Sequence, residues 1–117
     1  MRKLEIGTEK YTQVFAIDEP AFNANHEYQV LNSKEPSAPE LTFVKFQKGP
    51  IKESGVNGCC NEDLIAMVLD RLQSFQESPY KCRENAIAIT KLEEALLWLR
   101  KRTTDRERRN VEGTHTV

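Results

Sequence analysis

Residues 61–80 read NEDLIAMVLDRLQSFQESPY, and this segment predicts a helix followed by a tight turn. Its apolar side chains recur every three or four residues, which places them on one face of a helix. Asn61 is expected to cap the start of this helix, because its side chain can accept a hydrogen bond from a free backbone N–H. Ser78 and Pro79 are favoured at the cap and first position of a helix, so a second helix is predicted to start there.

No glycine or proline interrupts the chain from Tyr80 to Arg109, which predicts one long second helix. Five residues step along this helix by four, three, four and three positions, the spacing of a helix bundle: Asn85, Ile89, Leu92, Leu96 and Leu99. The first helix is much shorter, so the two are expected to form an antiparallel hairpin in which the end of the second lacks an internal partner. The pattern therefore predicts a homo-oligomer built through the second helix.

The first fifty residues have the features of β structure. Three short runs are rich in aromatic and β-branched residues, and segments rich in Pro, Asn and Ser separate them: 11–17, 27–31 and 41–47. Short connections of this kind join antiparallel neighbours, so a small antiparallel sheet is expected. The predicted fold is α+β and homo-oligomeric, with an N-terminal β-rich region at 1–54 and a two-helix hairpin at 55–117 within one compact domain.

Composition excludes several classes of protein. The net charge of −1 argues against a partner that is a nucleic-acid polymer, because long-range attraction to phosphate needs excess positive charge. The apolar runs are far shorter than the ~20 residues that cross a bilayer. The first residues also lack the apolar segment of a secretion signal. A cytoplasmic protein without a membrane partner is therefore expected.

The sequence also lacks the patterns of common catalytic and metal sites. The three cysteines are odd in number and do not have the spacing of metal ligands, so reduced thiols and no metal are expected. No glycine-rich phosphate loop or recognisable catalytic motif is present. We therefore expect no catalytic residue and no cofactor.

Positive charge is concentrated at the end of the second predicted helix. Residues 100–109, RKRTTDRERR, contain six basic and two acidic residues, which leaves a local charge of +4. Arg102, Arg106 and Arg109 fall on one helical face, and a guanidinium group can bind phosphate through two parallel hydrogen bonds. Two interpretations stay open. The face binds an anion, or it is a solvated helix end whose charges balance the helix dipole.

Two side chains near the predicted turn also have two interpretations each. Phe75 ends the apolar face of the first helix, and its ring can belong to the core or stack on a base. Asn85 lies on the apolar seam of the second helix. Its amide can set the register between helices or bind the edge of a base or ribose.

An ordered set of segments over residues 55–116 resembles the helical-hairpin domain shared by phage Thoeris anti-defence sponges and anti-CBASS sponges. The segments are GVNG (55–58), NEDL (61–64), DRLQ (70–73), CRENA (82–86), TKLEEA (90–95), WL (98–99), Arg102 and DR (105–106). The β-rich region that precedes them is similar to the Thoeris branch.

The resemblance implies a protein that is not an enzyme. It would be a homodimer or homohexamer that sequesters cyclic nucleotide immune signals in the cytoplasm of the infected bacterial host. The implied ligands are cyclic ADP-ribose isomers, joined in some members by cyclic di- or trinucleotides at a second kind of pocket. Capture of these signals would let a phage evade Thoeris or CBASS defence.

The resemblance also implies roles for individual residues. By position, Phe75 would stack on the adenine and Asn85 would hydrogen-bond the ligand. Arg102 and Arg106 would clamp the pyrophosphate. The further candidates are Arg83 and Thr90, for the second pocket, and Arg109 and Asn57. The alternative hypothesis is a structural phage or prophage interaction protein whose basic helix end binds an acidic partner.

Overall fold

The computed structural model describes residues 1–7 and 9–117. The chain divides into two compact units, Met1–Cys59 and Cys60–Val117, whereas the sequence places the division after residue 54. The first unit contains the β-strands and the second contains the two long helices. The predicted α+β class is confirmed.

The first unit is built on an antiparallel sheet of four strands in the order β1-β2-β3-β4. The strands are β1 (Arg2–Lys3), β2 (Thr12–Ala16), β3 (Glu27–Asn32) and β4 (Thr42–Lys45). β2, β3 and β4 lie within or next to the three predicted runs. They pair antiparallel, so the predicted arrangement is confirmed. β1 was not predicted, because two residues are too few for an alternating pattern. It pairs with β2, placing Lys3 opposite Phe15.

The core of the first unit is small. Ala16 and Leu31 are the buried hydrophobic residues of the described chain, and their register puts them on opposite faces of the sheet. On the Ala16 face, the rings of Tyr28 and Phe46 pack edge to face with centroids 5.7 Å apart. On the other face, Phe43 stays 45% exposed. The single chain therefore buries little apolar surface in this unit.

A carboxylate organises the connection between β2 and β3. Asp18 accepts hydrogen bonds from the backbone N–H of His26 at 3.0 Å and of Glu27 at 3.2 Å, and from the side-chain amide of Asn25 at 3.1 Å. Desolvation alone would raise the pKa of Asp18, but the hydrogen bonds from Asn25, His26 and Glu27 stabilise the charged form and lower the pKa. The ionised carboxylate is thus part of the folded loop.

Two side-chain amides close the loop that ends the first unit, which contains the short helix α1 (Ile51–Ser54). Gln47 donates from Nε2 to the carbonyl of Gly55 at 2.7 Å and accepts from the N–H of Asn57 at 3.0 Å. Asn57 exchanges two hydrogen bonds with the backbone of Lys48, each 2.8 Å long. A Cβ at Gly58 would lie 2.4 Å from the Phe46 backbone, so this position requires glycine.

The second unit is a hairpin of α2 (Asn61–Gln76) and α3 (Arg83–Arg108). The cap of α2 is Cys60 and not the expected Asn61. The N–H of Cys60 donates to the carboxylate of Asp63 at 2.8 Å, which forms a capping box. The prediction of Asn61 as the cap was therefore wrong by one residue.

The second helix also begins later than predicted. Ser78 Oγ donates to the Phe75 carbonyl at 2.6 Å and accepts from the N–H of Tyr80 at 3.1 Å. This hydroxyl closes a turn on the end of α2, so it does not start a new helix. Cys82 takes the cap of α3, and its Sγ accepts from the N–H of Asn85 at 3.4 Å.

Neither long helix contains a buried residue in the single chain. Several apolar side chains are strongly exposed, including those of Met67 at 64%, Leu97 at 70% and Trp98 at 68%. Apolar faces of this kind are normally covered by another surface, so the predicted homo-oligomer stays a prediction with this support. Within residues 1–7 and 9–117, no helix is long and apolar enough to cross a membrane.

Candidate ligand-binding site

An open cleft of about 500 Å³ lies at the turn between α2 and α3. Small-molecule pockets commonly have volumes of this order. Six residues line the cleft: Asp70, Arg71, Ser74, Phe75, Ser78 and Tyr80. Both rings are exposed, Phe75 to 38% and Tyr80 to 77%. The cleft therefore presents aromatic surface next to hydroxyl and charged groups.

Phe75 does not belong to a core in the single chain. Arg71 precedes it by one helical turn, and the guanidinium carbon lies 5.3 Å from the centroid of the Phe75 ring. This is within the range of a cation–π contact, which orients the ring and places a positive charge beside it. Arg71 was not predicted as a site residue, although its position four residues before Phe75 on the same helix was a usable signal.

Asn85 lies at the same turn, near the start of α3. Its backbone N–H is used by the Cys82 cap at 3.4 Å. Throughout the described chain, by contrast, its half-buried side-chain amide has no hydrogen-bond partner. A half-buried amide without a partner retains both donor and acceptor capacity for a ligand.

The basic residues at the end of α3 divide into two groups. Three ion pairs join Arg100 to Glu107 at 3.4 Å, Lys101 to Asp105 at 3.0 Å, and Arg108 to Asp105 at 3.8 Å. The remaining three, Arg102, Arg106 and Arg109, have no carboxylate partner among residues 1–7 and 9–117. These three are the residues of the predicted arginine face, so that face keeps its positive charge.

Arg106 is the most constrained residue of this face. Its Nη2 donates to the carbonyl oxygens of Val111 at 3.1 Å and Thr114 at 3.0 Å. The chain after α3 folds back to provide these acceptors, with Asn110 and Gly113 at positive φ of 57° and 76°. Arg106 is half-buried as a result. Arg102, one turn earlier, is exposed.

The predicted site residues therefore form two clusters at opposite ends of α3. Phe75 and Asn85 lie at the turn of the hairpin, whereas Arg102 and Arg106 lie near the far end. Asn85 and Arg106 are 21 positions apart in one uninterrupted helix, which separates them by about 32 Å at ~1.5 Å per residue. A single chain does not bring these two clusters to one small ligand.

The further candidates lie in three places. Arg83 and Thr90 are exposed on α3, seven residues apart and hence on one helical face. The Thr90 hydroxyl donates to the Ala86 carbonyl at 3.2 Å. Arg109 extends the arginine face. Asn57 lies in the first unit, where both ends of its amide already bind the Lys48 backbone.

Comparison with known proteins identifies the family. The model of the Acb2/Tad1 hairpin domain matches residues 39–104. The protein named Thoeris anti-defense 1 from Bacillus phage SBSphiJ7 is 49% identical to this chain, and the alignment covers 98% of this chain and 99% of the relative. The resemblance read from the ordered segments is thereby confirmed. The chain belongs to the Acb2/Tad1 hairpin-domain family.

Proposed function

We propose that this protein is an anti-Thoeris sponge, which binds cyclic nucleotide immune signals and withholds them from their receptor without transforming them. Membership of the Acb2/Tad1 family supports this function. The observation that carries it is the pairing of complementary groups on one hairpin. An aromatic cleft and a free amide lie at one end, and an arginine face without carboxylate partners lies at the other.

The binding site is composite. The two clusters lie about 32 Å apart along α3 of one chain, so a second copy must contribute one of them. Two copies with antiparallel α3 helices would place the arginine face of each beside the aromatic cleft of the other. The exposed apolar residues Leu97 and Trp98 would then be covered by the partner. Because this pairing is symmetric, each homodimer would hold two equivalent sites.

The preferred ligand class is the cyclic ADP-ribose isomers, which combine an adenine with a pyrophosphate. Phe75 would stack on the adenine, and the Asn85 amide would hydrogen-bond the base or ribose. Arg102 and Arg106 would clamp the pyrophosphate through charge-assisted hydrogen bonds. Arg83 and Thr90 are proposed for a separate pocket that accepts cyclic di- or trinucleotides. That pocket would require further copies, as in a hexamer.

Binding alone is sufficient for this function. A sponge must compete with a receptor, which requires roughly nanomolar affinity, or about −12 kcal/mol. Hydrogen bonds to charged groups contribute ~1.5–3 kcal/mol each, and stacking of a base on an aromatic ring ~1–3 kcal/mol. Two arginines and one ring thus supply a large part of the requirement. Enclosure between two rigid helices supplies preorganisation. Sequestration would take place in the cytoplasm of the infected host, where the signal is made.

Release of intact ligand tests the proposal. The protein is incubated with cyclic ADP-ribose isomers and cyclic oligonucleotides, separated from free ligand and denatured by heat. The released molecule is then identified by mass spectrometry. Recovery of unaltered ligand supports sequestration, whereas an altered product would reveal an enzyme. No capture would favour the alternative, a structural interaction protein that binds an acidic partner through its arginine face.

A further inference from the structure

One glutamine side chain ties the two helices together at the cleft. Gln76, the last residue of α2, accepts a hydrogen bond from the N–H of Cys82 at 2.9 Å through Oε1. Its Nε2 donates to the carbonyl oxygen of the same residue at 3.0 Å. Cys82 is the cap of α3. A single half-buried amide therefore joins the end of one helix to the start of the next through two hydrogen bonds.

Each of the two residues joined by these hydrogen bonds is directly connected to a proposed ligand-binding residue. Gln76 directly follows Phe75 in α2, so its position and that of the ring are set by the same helical turn. Cys82 accepts the N–H of Asn85 through its Sγ at 3.4 Å, which fixes the first turn of α3 and the Asn85 backbone. Phe75 and Asn85 are thus connected through Gln76 and Cys82.

The sequence alone does not mark this contact. Gln76 is one polar residue among several at the end of an amphipathic helix. Its partners are the backbone N–H and carbonyl of Cys82, six residues later, and backbone groups leave no pattern in the sequence. The intervening turn is otherwise closed by Ser78, whose hydroxyl hydrogen-bonds the backbone of Phe75 and Tyr80 and, within the described residues, no group of α3.

We propose that Gln76 is a positioning residue, which sets the spacing between the Phe75 ring and the Asn85 amide so that one adenine-containing nucleotide engages both. This inference rests on the proposed function. The ligand does not contact Gln76 itself. The residue acts by holding the cleft in its binding geometry before the ligand arrives, which reduces the ordering required on binding.

Substitution of the same side chain by glutamate provides a selective test. In Gln76→Glu, one carboxylate oxygen can still accept the Cys82 N–H, but the other faces the Cys82 carbonyl and repels it. Protonation of the carboxyl restores a donor toward that carbonyl. The protonated form is therefore the competent one, and capture by this variant should improve as the pH falls through the pKa of the carboxyl, about 4.3 when unperturbed and higher beside a carbonyl.

The experiment measures the affinity for a cyclic ADP-ribose isomer by calorimetry from pH 8 to pH 4. It compares the wild type, Gln76→Ala, Gln76→Glu and the control Gln73→Glu. The control makes the same chemical change at an exposed residue one turn earlier in α2. The other titratable groups of the turn, Glu77, Tyr80, Lys81 and Cys82, are common to all four proteins. The ratio of variant to wild-type affinity at each pH therefore removes their contribution.

We expect both Gln76 variants to bind about ten-fold more weakly at pH 8, because Gln76→Ala loses both hydrogen bonds and Gln76→Glu replaces one of them by a repulsion. The Gln76→Glu ratio should recover toward one at low pH. Melting temperature and gel filtration should be close to those of Gln73→Glu. If Gln76→Ala fails to fold, the pH dependence of Gln76→Glu carries the test, since its protonated form restores both hydrogen bonds.

Two results would overturn the positioning role. One is wild-type affinity in both Gln76 variants at pH 8, and the other is a Gln76→Glu defect that does not change with pH. Failure of the wild type and of Gln73→Glu to capture any ligand is a distinct outcome. It would overturn the proposed sponge function, and with it the positioning role of Gln76.

Discussion

The hydrogen bonds between Arg106 and the C-terminal tail (residues 110–117) are expected to compete with ligand binding and not to support it. A guanidinium group can donate two parallel hydrogen bonds to a phosphate from either of two edges. One edge pairs Nε with Nη2 and the other pairs Nη1 with Nη2, so Nη2 takes part in both. In this structure Nη2 donates to the carbonyls of Val111 and Thr114 at 3.1 and 3.0 Å. Two-point binding of a phosphate by Arg106 therefore requires that at least one tail carbonyl be displaced.

Gly113→Ala should loosen the tail selectively. Gly113 has a φ of 76°, a region where a residue with a Cβ is disfavoured by roughly 1–2 kcal/mol. One competing hydrogen bond has a net strength of about 0.5–1.5 kcal/mol, so its removal should tighten capture of a cyclic ADP-ribose isomer by about 2- to 13-fold. Calorimetry at neutral pH measures this gain directly.

Gly7→Ala is the matched control, because Gly7 also has a positive φ of 106° and its Cβ would meet nothing within 4 Å. It should leave capture unchanged, although it introduces the same kind of backbone strain in the first unit. Weaker capture by Gly113→Ala, in an intact oligomer, would refute the competition. The tail carbonyls would then be orienting Arg106 for the ligand instead of competing with it.

Three further substitutions test other parts of the molecule. Arg102→Ala should weaken capture by about 10- to 150-fold, from the loss of ~1.5–3 kcal/mol, while calorimetry should show little change for Arg100→Ala, whose guanidinium is ion-paired. Asp18→Asn should lower the melting temperature at pH 7. Because the folded pKa of Asp18 is lowered, its contribution is present above the unfolded pKa of about 3.9 and disappears as the pH falls through the folded value. Gly58→Ala should destabilise the fold by about 1–3 kcal/mol in denaturant, since its Cβ would lie 2.4 Å from the backbone of Phe46.

Each of these predictions has a contrary outcome. Equal losses of capture for Arg102→Ala and Arg100→Ala would mean that the helix end attracts anions only through its general charge. A stability difference between wild type and Asp18→Asn that stayed constant down to pH 2 would exclude the charged carboxylate as its cause. Unchanged denaturant stability of Gly58→Ala would show that the Phe46 backbone moves aside easily.

Much of the fold follows from local patterns. The apolar spacing in residues 61–80 and the absence of glycine and proline after Tyr80 predicted both long helices. The three β-rich runs predicted the antiparallel order. The boundaries were less accurate, because a cap depends on which side chain reaches a free N–H. Cys60 and Cys82 take that role, although cysteine is not among the residues that usually signal a cap.

The candidate site, like the fold, was predicted only in part from the sequence. Helical spacing alone placed Arg102, Arg106 and Arg109 on one face, and the structure adds that the three neighbouring basic residues are ion-paired with Asp105 and Glu107. Arg71 and Tyr80 were missed, because residues that line a cleft share a location in space and not a repeat in the sequence.

The elements and the chemistry on their faces follow from the order of the amino acids, because helical and strand periodicities are properties of neighbouring residues. Which polar groups meet depends on the folded chain as a whole. The amide of Gln76 bonds the backbone of Cys82, and the guanidinium of Arg106 bonds two carbonyls of the tail. Backbone acceptors are present at every residue and so leave no pattern in the sequence. Only the path of the folded chain selects the ones that a given side chain reaches.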